Sequence, residues 1–455
     1  MKPNRDATAR ALAINAIKYG NVYPRILREQ MDISKGMKIG TNGKGAVAFR
    51  CDDSTDKLKN NLLAEFKSRG FPFSMSMISN LNNANNGTAP KLTWTDMQQL
   101  NQRYGCEYWS HGYDHITPMT IDQLTQEIIV SKQLIEANGI KCQGWAQVGA
   151  PGGLYNNIDN SNDPANWYSD AGRLISENYA LAEAYMGPEV RYLPTGRFLG
   201  GNHGTITPFP TGTSAQWLVK MKSYVDQCVK YKQGVCFLIH PQMVDYANAS
   251  NPNWINLSDL QALFDYVKAA RDAGTLEVLT PSGLYYADPY STQRVDLMTA
   301  NNGDFLGITT AAPGFWSKTS NWSGKSFPQT GGNNNGAYFT MDNTLDSTSG
   351  MIVGQIDGIQ AYAGETFLYT ALARSNGAGT QKIRVLLQTD GAVNILDVQG
   401  GSYIDISVPN TWTRINLPFT IPPVKSFLKI SIGRSGSAAG AGYGIDWQDV
   451  KIPKV

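Results

Sequence analysis

Histidine is scarce in this chain: there are four in 455 residues, His111, His115, His203 and His240. Cysteine is nearly as rare, with five residues and no C-x-x-C pair. The odd number excludes a framework in which every cysteine is paired, and the missing C-x-x-C argues against a structural zinc knot. Cys51, Cys106, Cys142, Cys228 and Cys236 are therefore expected to be free, buried thiols. Charge is sparse too: charged residues make up 17% of the chain and the net charge is +2. Such a balance sets up no long-range field that would draw nucleic acid or an acidic membrane. No stretch approaches the roughly 18 apolar residues of a membrane span. No apolar run of the secretory kind follows Met1.

What is abundant is small and polar, with 45 glycines and many Asn, Ser and Thr. That composition is common in β-rich, carbohydrate-handling proteins. The length predicts two or three domains. Residues 1–39 carry a helical pattern around Ala9, Leu12, Ala13, Ile17 and Leu27, read as a helical extension serving attachment or oligomerisation. From 40 to 296 strands and helices alternate. Strands are expected at 46–51, 72–78, 107–110, 145–148, 190–193, 235–240 and 276–279. Helices are expected at 55–69, 93–104, 120–138, 171–185, 214–231 and 257–273. The alternation predicts a parallel sheet or barrel with helices outside. From 297 to 455 no helical signal appears. Short alternating runs at 366–372, 383–388, 413–417, 428–432 and 444–452, separated by Gly, Asn and Ser turns, predict a β-sandwich of the jelly-roll kind.

The rare histidines fall in telling places. An acid pair closes the apolar run Ala46-Val47-Ala48-Phe49-Arg50-Cys51-Asp52-Asp53. Two histidines stand four apart in Ser110-His111-Gly112-Tyr113-Asp114-His115, and another closes Val235-Cys236-Phe237-Leu238-Ile239-His240. Functional groups of a β/α barrel gather at the carboxyl ends of its strands. Imidazole and carboxylate suit zinc and related divalent ions, and two histidines plus one acid leave open coordination positions. His203, in a glycine-rich stretch with no partner motif, is read as a loop residue.

At these residues the chain resembles the polysaccharide deacetylases of carbohydrate esterase family 4, the NodB-homology group, over about 44–288. Phe49-Arg50-Cys51-Asp52-Asp53-Ser54 is similar to the family's T-F-D-D-G motif. Ser110 to His115 keep the spacing of its H-S/T-x-x-H motif, with Gly112 in place of the hydroxyl residue. Leu238-Ile239-His240-Pro241 is similar to its L-x-H motif, and Val278-Leu279-Thr280-Pro281 to its closing strand. The resemblance implies a distorted β/α barrel and a divalent metal, zinc first among the candidates. It makes Asp52 the general base, Asp53, His111 and His115 the metal ligands, and His240 the general acid.

Two family features are missing. The arginine that orients the base has no counterpart in Trp145-Ala146-Gln147-Val148-Gly149-Ala150-Pro151-Gly152-Gly153. Arg197 is the expected substitute, and Arg197 and Trp145 are expected to face substrate. Asp163-Pro164-Ala165-Asn166-Trp167 comes too early to be the family's D-x-x-D-W motif and is read as a loop with a packed Trp.

The ending Gly444 to Ile452 is similar to the last strand of jelly-roll carbohydrate-binding modules. Trp316, Trp322 and Tyr362 are the candidates for stacking on sugar rings. The expected function is deacetylation of an acetylated cell-surface polysaccharide containing N-acetylhexosamine. The expected setting is a phage tail or other extracellular one, with a homo-oligomer, such as a trimer, as the assembly. The alternative is a glycan-binding or receptor-binding protein whose barrel has lost turnover, a reading favoured by the missing arginine. A glycosidase using paired carboxylates leaves the histidines unexplained.

Overall fold

The computed structural model describes residues 38–82, 90–117, 120–149, 155, 169–183, 190–193, 203–205, 212–249, 254–291, 296–298, 303–306, 308, 315–318, 325–341, 350–357, 364–376, 381–389, 393–398, 404–406, 409–422, 427–435 and 444–455. The expected helical extension, Arg197, the 163–167 loop, Trp322 and Tyr362 lie outside the described residues. The chain divides into two compact units, with the main change of unit between Gln293 and Arg294.

In the first unit the strands are β1 (Ile39–Gly40), β2 (Gly45–Asp52), β3 (Phe73–Met77), β4 (Cys106–Ser110), β5 (Cys142–Ala146), β6 (Leu181–Glu183), β7 (Arg191–Tyr192), β8 (His203–Thr205), β9 (Gln233–Ile239), β10 (Val244–Asp245), β11 (Ile255–Asn256), β12 (Leu276–Leu279) and β13 (Ala287–Asp288). The main sheet runs β6-β5-β4-β3-β2-β9-β7, with β12 also on β2 and β8 also on β9. It curls into a half-barrel that is parallel apart from β7. β2 is buried along its whole length, which is why it reads as a near-continuous apolar run. Its residues alternate between two environments. Phe49 meets the rings of Phe66, Phe237 and Phe264 at centroid distances of 5.9, 5.7 and 4.8 Å. Two of those partners lie on the helices Leu63–Arg69 and Leu257–Asp272. Arg50 and Asp52 occupy the other face.

The helix Ser214–Tyr231 begins at a Thr213–Gln216 capping box, as its sequence predicts. The helix expected at 55–69 starts with a π-helical turn at Leu58–Leu62. The one expected at 120–138 contains another at Gln126–Val130. The helix expected at 171–185 is a correction: it spans Asp170–Asn178 and gives way to β6. Leu181, Ala182 and Glu183 pair in parallel with Gly144, Trp145 and Ala146 of β5, so pairing and burial override local helical preference. His203, read as a loop residue, lies in β8, which pairs in parallel with β9. All five cysteines are free and buried, as expected.

The second unit contains two antiparallel sheets. One includes Gly350–Asp357, Phe427–Ser435 and Gln381–Thr389; the other includes Phe339–Met341, Ile445–Lys451, Thr366–Ser375 and Thr413–Thr420. Ile352, Val385 and Ile430 of the first sheet and Phe339, Phe367 and Trp447 of the second belong to one apolar core. The unit is thus a β-sandwich. Trp316, one of the candidates for sugar stacking, is fully buried in that core against Phe305 and Phe315.

Candidate metal centre

The carboxyl ends of β2, β4 and β9 bring the acid pair and three of the histidines together. Successive strand residues point to opposite faces, so Asp52 and Asp53 would diverge if β2 simply continued. It does not continue. Asp53 and Ser54 are both left-handed, with φ of 77° and 55°, a costly conformation for residues with a Cβ. Surrounding bonds fix it: Asp53 N–H donates to Ser76 O (3.2 Å), Ser54 Oγ accepts from Ile78 N–H (2.8 Å), and Lys91 Nζ donates to Asp53 O (3.0 Å). The result is two carboxylates facing one imidazole. His111 Nε2 lies 3.8 Å from Asp52 Oδ2 and 3.7 Å from Asp53 Oδ1.

One ligand atom from each of Asp53, His111 and His115 lies within 4.8 Å of the other two. His115 Nε2 is 3.8 Å from Asp53 Oδ1. These separations are too long for hydrogen bonds. They are close to the roughly 3.4 Å between ligands of a tetrahedral ion with bonds of about 2.0–2.1 Å. Asp53 Oδ1 is buried and has no hydrogen-bond partner, an orphan that needs explaining. His111 Nδ1 stands 3.0 Å from Ala146 O. Donation there leaves the Nε2 lone pair facing Asp53, the usual arrangement of a ligating histidine. Burial, then the neighbouring His111, lower the His115 pKa from 6.5 to about 4, so the ring is neutral at neutral pH and free to ligate. The residues therefore fit a divalent ion of the zinc kind.

Asp52 sits beside this group, held separately. Arg50 Nε and Nη2 donate to Asp52 Oδ1 and Oδ2 at 2.9 and 2.8 Å, a planar fork. Arg50 Nη1 lies 2.9 Å from Glu183 Oε2 on β6. Burial alone would raise the Asp52 carboxyl. The Arg50 guanidinium, with smaller help from His111 and His240, outweighs it and holds the group well below the usual carboxylate range. Glu183 is raised by burial, which Arg50 only partly offsets.

His240 follows β9 and places Nε2 3.9 Å from Asp53 Oδ2. Gln242 Nε2 donates to that same oxygen at 2.5 Å. Trp145, expected to face substrate, is 1% exposed and packed on Tyr155 and Tyr179 at 5.5 and 5.7 Å, with its indole N–H on Gln147 Oε1.

Sequence reasoning missed Arg50, Glu183, Gln242 and Glu127. A signal existed for Arg50: a cation inside an apolar strand, two residues before an acid and hence on its face. Glu127 carried a similar signal, an acid in the apolar helical stripe of Leu124, Ile128 and Ile135.

No family model matches the chain, and no curated protein matches it. Solved structures show partial likeness. The carbohydrate-binding and catalytic modules of an endo-1,4-β-D-xylanase from Clostridium thermocellum, complexed with xylohexaose, are 17% identical over 31% of this chain and 26% of theirs, with a TM-score of 0.25. The enzymatically active domain of a tailspike protein from bacteriophage CBA120 is 14% identical over 35% of this chain and 22% of its own, with a TM-score of 0.27. A family 4 carbohydrate-binding module is 17% identical over 34% of this chain and 99% of its own, with a TM-score of 0.24. This chain thus spans about a quarter of the xylanase structure. At such TM-scores the likeness assigns neither fold nor activity. No helix among the described residues is long and apolar enough to cross a membrane.

Proposed function

We propose that the first unit is a divalent-metal-dependent deacetylase of the NodB-homology type, acting on an acetylated cell-surface polysaccharide. The observation that carries the reading is the division of labour between two adjacent acids. Asp53 Oδ1, without a hydrogen bond, faces His111 and His115, while Asp52 is locked as an anion by Arg50.

Asp53, His111 and His115 would hold the ion. When bound, it would polarise the acyl carbonyl and bring water from a pKa of about 15.7 toward 7, which lets so weak a base as Asp52 serve. Asp52 accepts the proton of the attacking water. Arg50 keeps that carboxylate ionised and fixes its two oxygens. His240, with Nε2 3.9 Å from Asp53 Oδ2, carries a proton to the leaving amine or alkoxide. Arg50 supports turnover over a degenerate binding barrel, because it supplies the charge that the resemblance leaves missing at 145–153.

The second unit is proposed to hold the polymer, raising its effective concentration at the first. Tyr338 and Trp412, half-buried and joined by the Arg374 guanidinium over both rings, replace Trp316 as candidate stacking groups. The polar composition supports a virion or extracellular setting.

The test is acetate release from N- and O-acetylated polysaccharides. Release that stops with chelator, returns with zinc and disappears in Asp52→Asn is expected. A chain that holds its ion yet releases no acetate from any such polymer would overturn the catalytic reading in favour of glycan binding.

A further inference from the structure

The loop that carries both ligating histidines is held by a carboxylate from the helix that follows it. Where the resemblance places a Ser or Thr hydroxyl, this chain has Gly112. A carboxylate approaches the loop at this point. Glu127 lies in the π-helical turn Gln126–Val130 and is fully buried. Its Oε2 accepts from the backbone N–H groups of Tyr113 (3.0 Å) and His115 (3.2 Å), and its Oε1 from that of Asp114 (2.9 Å). Three consecutive amides thus converge on one anion, a concave nest of the kind that binds anions from outside the chain.

One turn further along the helix, Ser131 Oγ donates to Gly112 O at 2.9 Å. Gly112 itself has φ of 85°, and a Cβ there would stand 2.4 Å from Glu127 Oε2. His115 is left-handed as well, with φ of 59°. The glycine and the glutamate are therefore two halves of one device. The missing side chain makes room for the carboxylate, and the carboxylate pins the strained backbone that aims both imidazoles at Asp53.

We infer that Glu127 is the positioning residue of the metal-ligand loop, and that it adds a second demand for glycine at 112, by occupying the space a side chain would need, to the one its left-handed φ already makes. The inference rests on the metal-centre reading above. Its structural half, the pinning of 113–115, stands on hydrogen bonds alone.

The experiment compares wild type with Glu127→Gln and Gly112→Ala, using two readouts. Amide hydrogen exchange at Tyr113, Asp114 and His115 reports the pinning and needs no ion. Zinc titration by calorimetry reports ligand aim. Both variants are expected to exchange faster at these three amides while the sheet amides of β4 stay protected. Both are expected to bind zinc about 10–100-fold more weakly, the usual cost of losing an outer contact that orients a ligand.

Glu127→Ala, alone and combined with Gly112→Ala, closes a double-mutant cycle with the Gly112→Ala single variant. The methyl should cost less zinc affinity once the carboxylate is gone. Unchanged exchange in Glu127→Gln overturns the inference and leaves the metal centre standing. A wild type that protects these amides but takes up no zinc overturns the metal-centre reading, and the affinity claim with it. If Gly112→Ala costs the same with and without Glu127, the proposed pairing of the two residues is wrong.

Discussion

Asp52 and Asp446 are both buried carboxylates held by an arginine, one in each unit, and they differ in what else reaches their oxygens. Asp446 accepts from Thr340 Oγ1 and Asn376 Nδ2, both at 2.6 Å, and from Arg374 Nε at 2.8 Å. Each of those partners is a donor, and no imidazole or second acid is among them. That arrangement is closed: it satisfies a buried charge on a sandwich face and offers nothing further. Asp52 has its arginine fork but faces His111, and through it Asp53, whose Oδ1 is left without a partner. That arrangement is open. A carboxylate whose oxygens all meet donors rigidifies a fold, whereas a buried carboxylate oxygen without a donor, set against two imidazoles, calls for a further partner.

The largest effect that separates the two should come from neutralising each acid. Asp52→Asn is expected to lower acetate release about 10²–10⁴-fold while zinc stays bound. Asp446→Asn should leave release on a short soluble substrate unchanged and lower only the unfolding free energy. Equal activity losses in the two variants would erase the distinction.

Removing the arginines sharpens it. Arg50→Met leaves Asp52 and Glu183 buried without their shared cation, a change expected to cost about 3–5 kcal/mol in denaturant unfolding. Arg374 is itself 18% exposed, and Asp446 keeps two neutral donors. Arg374→Met should therefore cost less, about 1.5–3 kcal/mol. A reversed order would show that Asp52 does not depend on Arg50.

A smaller effect concerns acidity in the open site alone. The His115 pKa is lowered from 6.5 to about 4, so between those values the unfolded chain binds the extra proton. Stability contributed by the neutral ring is then complete above about pH 6.5 and lost as pH falls toward 4. Unfolding of the metal-free protein at pH 7 and pH 4.5 should show this loss, and His115→Gln should remove it. An unaltered pH slope in that variant would assign the titration elsewhere.

Much of the open arrangement was legible in the sequence because motif spacing and strand ends coincide there. Asp52, Asp53, His111, His115 and His240 each follow an apolar run, and parallel strands deliver such positions to one edge. Arg50 was overlooked as a partner of Asp52 despite its place two residues before the acid, because β2 reads as one hydrophobic run and the resemblance directs attention to 145–153 and Arg197. Glu183 was hidden by a stretch with helical preference that pairs as β6. The burial of Trp145 was hidden for a related reason: a strand tells which residues share a face, but only packing shows that this face meets Tyr155 and Tyr179. In the sandwich the longer strands were readable from alternation. The closed network around Asp446 was not, since Thr340, Asn376 and Arg374 meet only through sheet register and a turn.

Metal content tests the centre most directly. After dialysis against zinc and then against buffer, the chain is expected to retain one divalent ion per molecule by elemental analysis, and Asp53→Ala to retain none while staying folded. A wild type without the ion, or a variant that keeps it, would contradict the centre built from Asp53, His111 and His115.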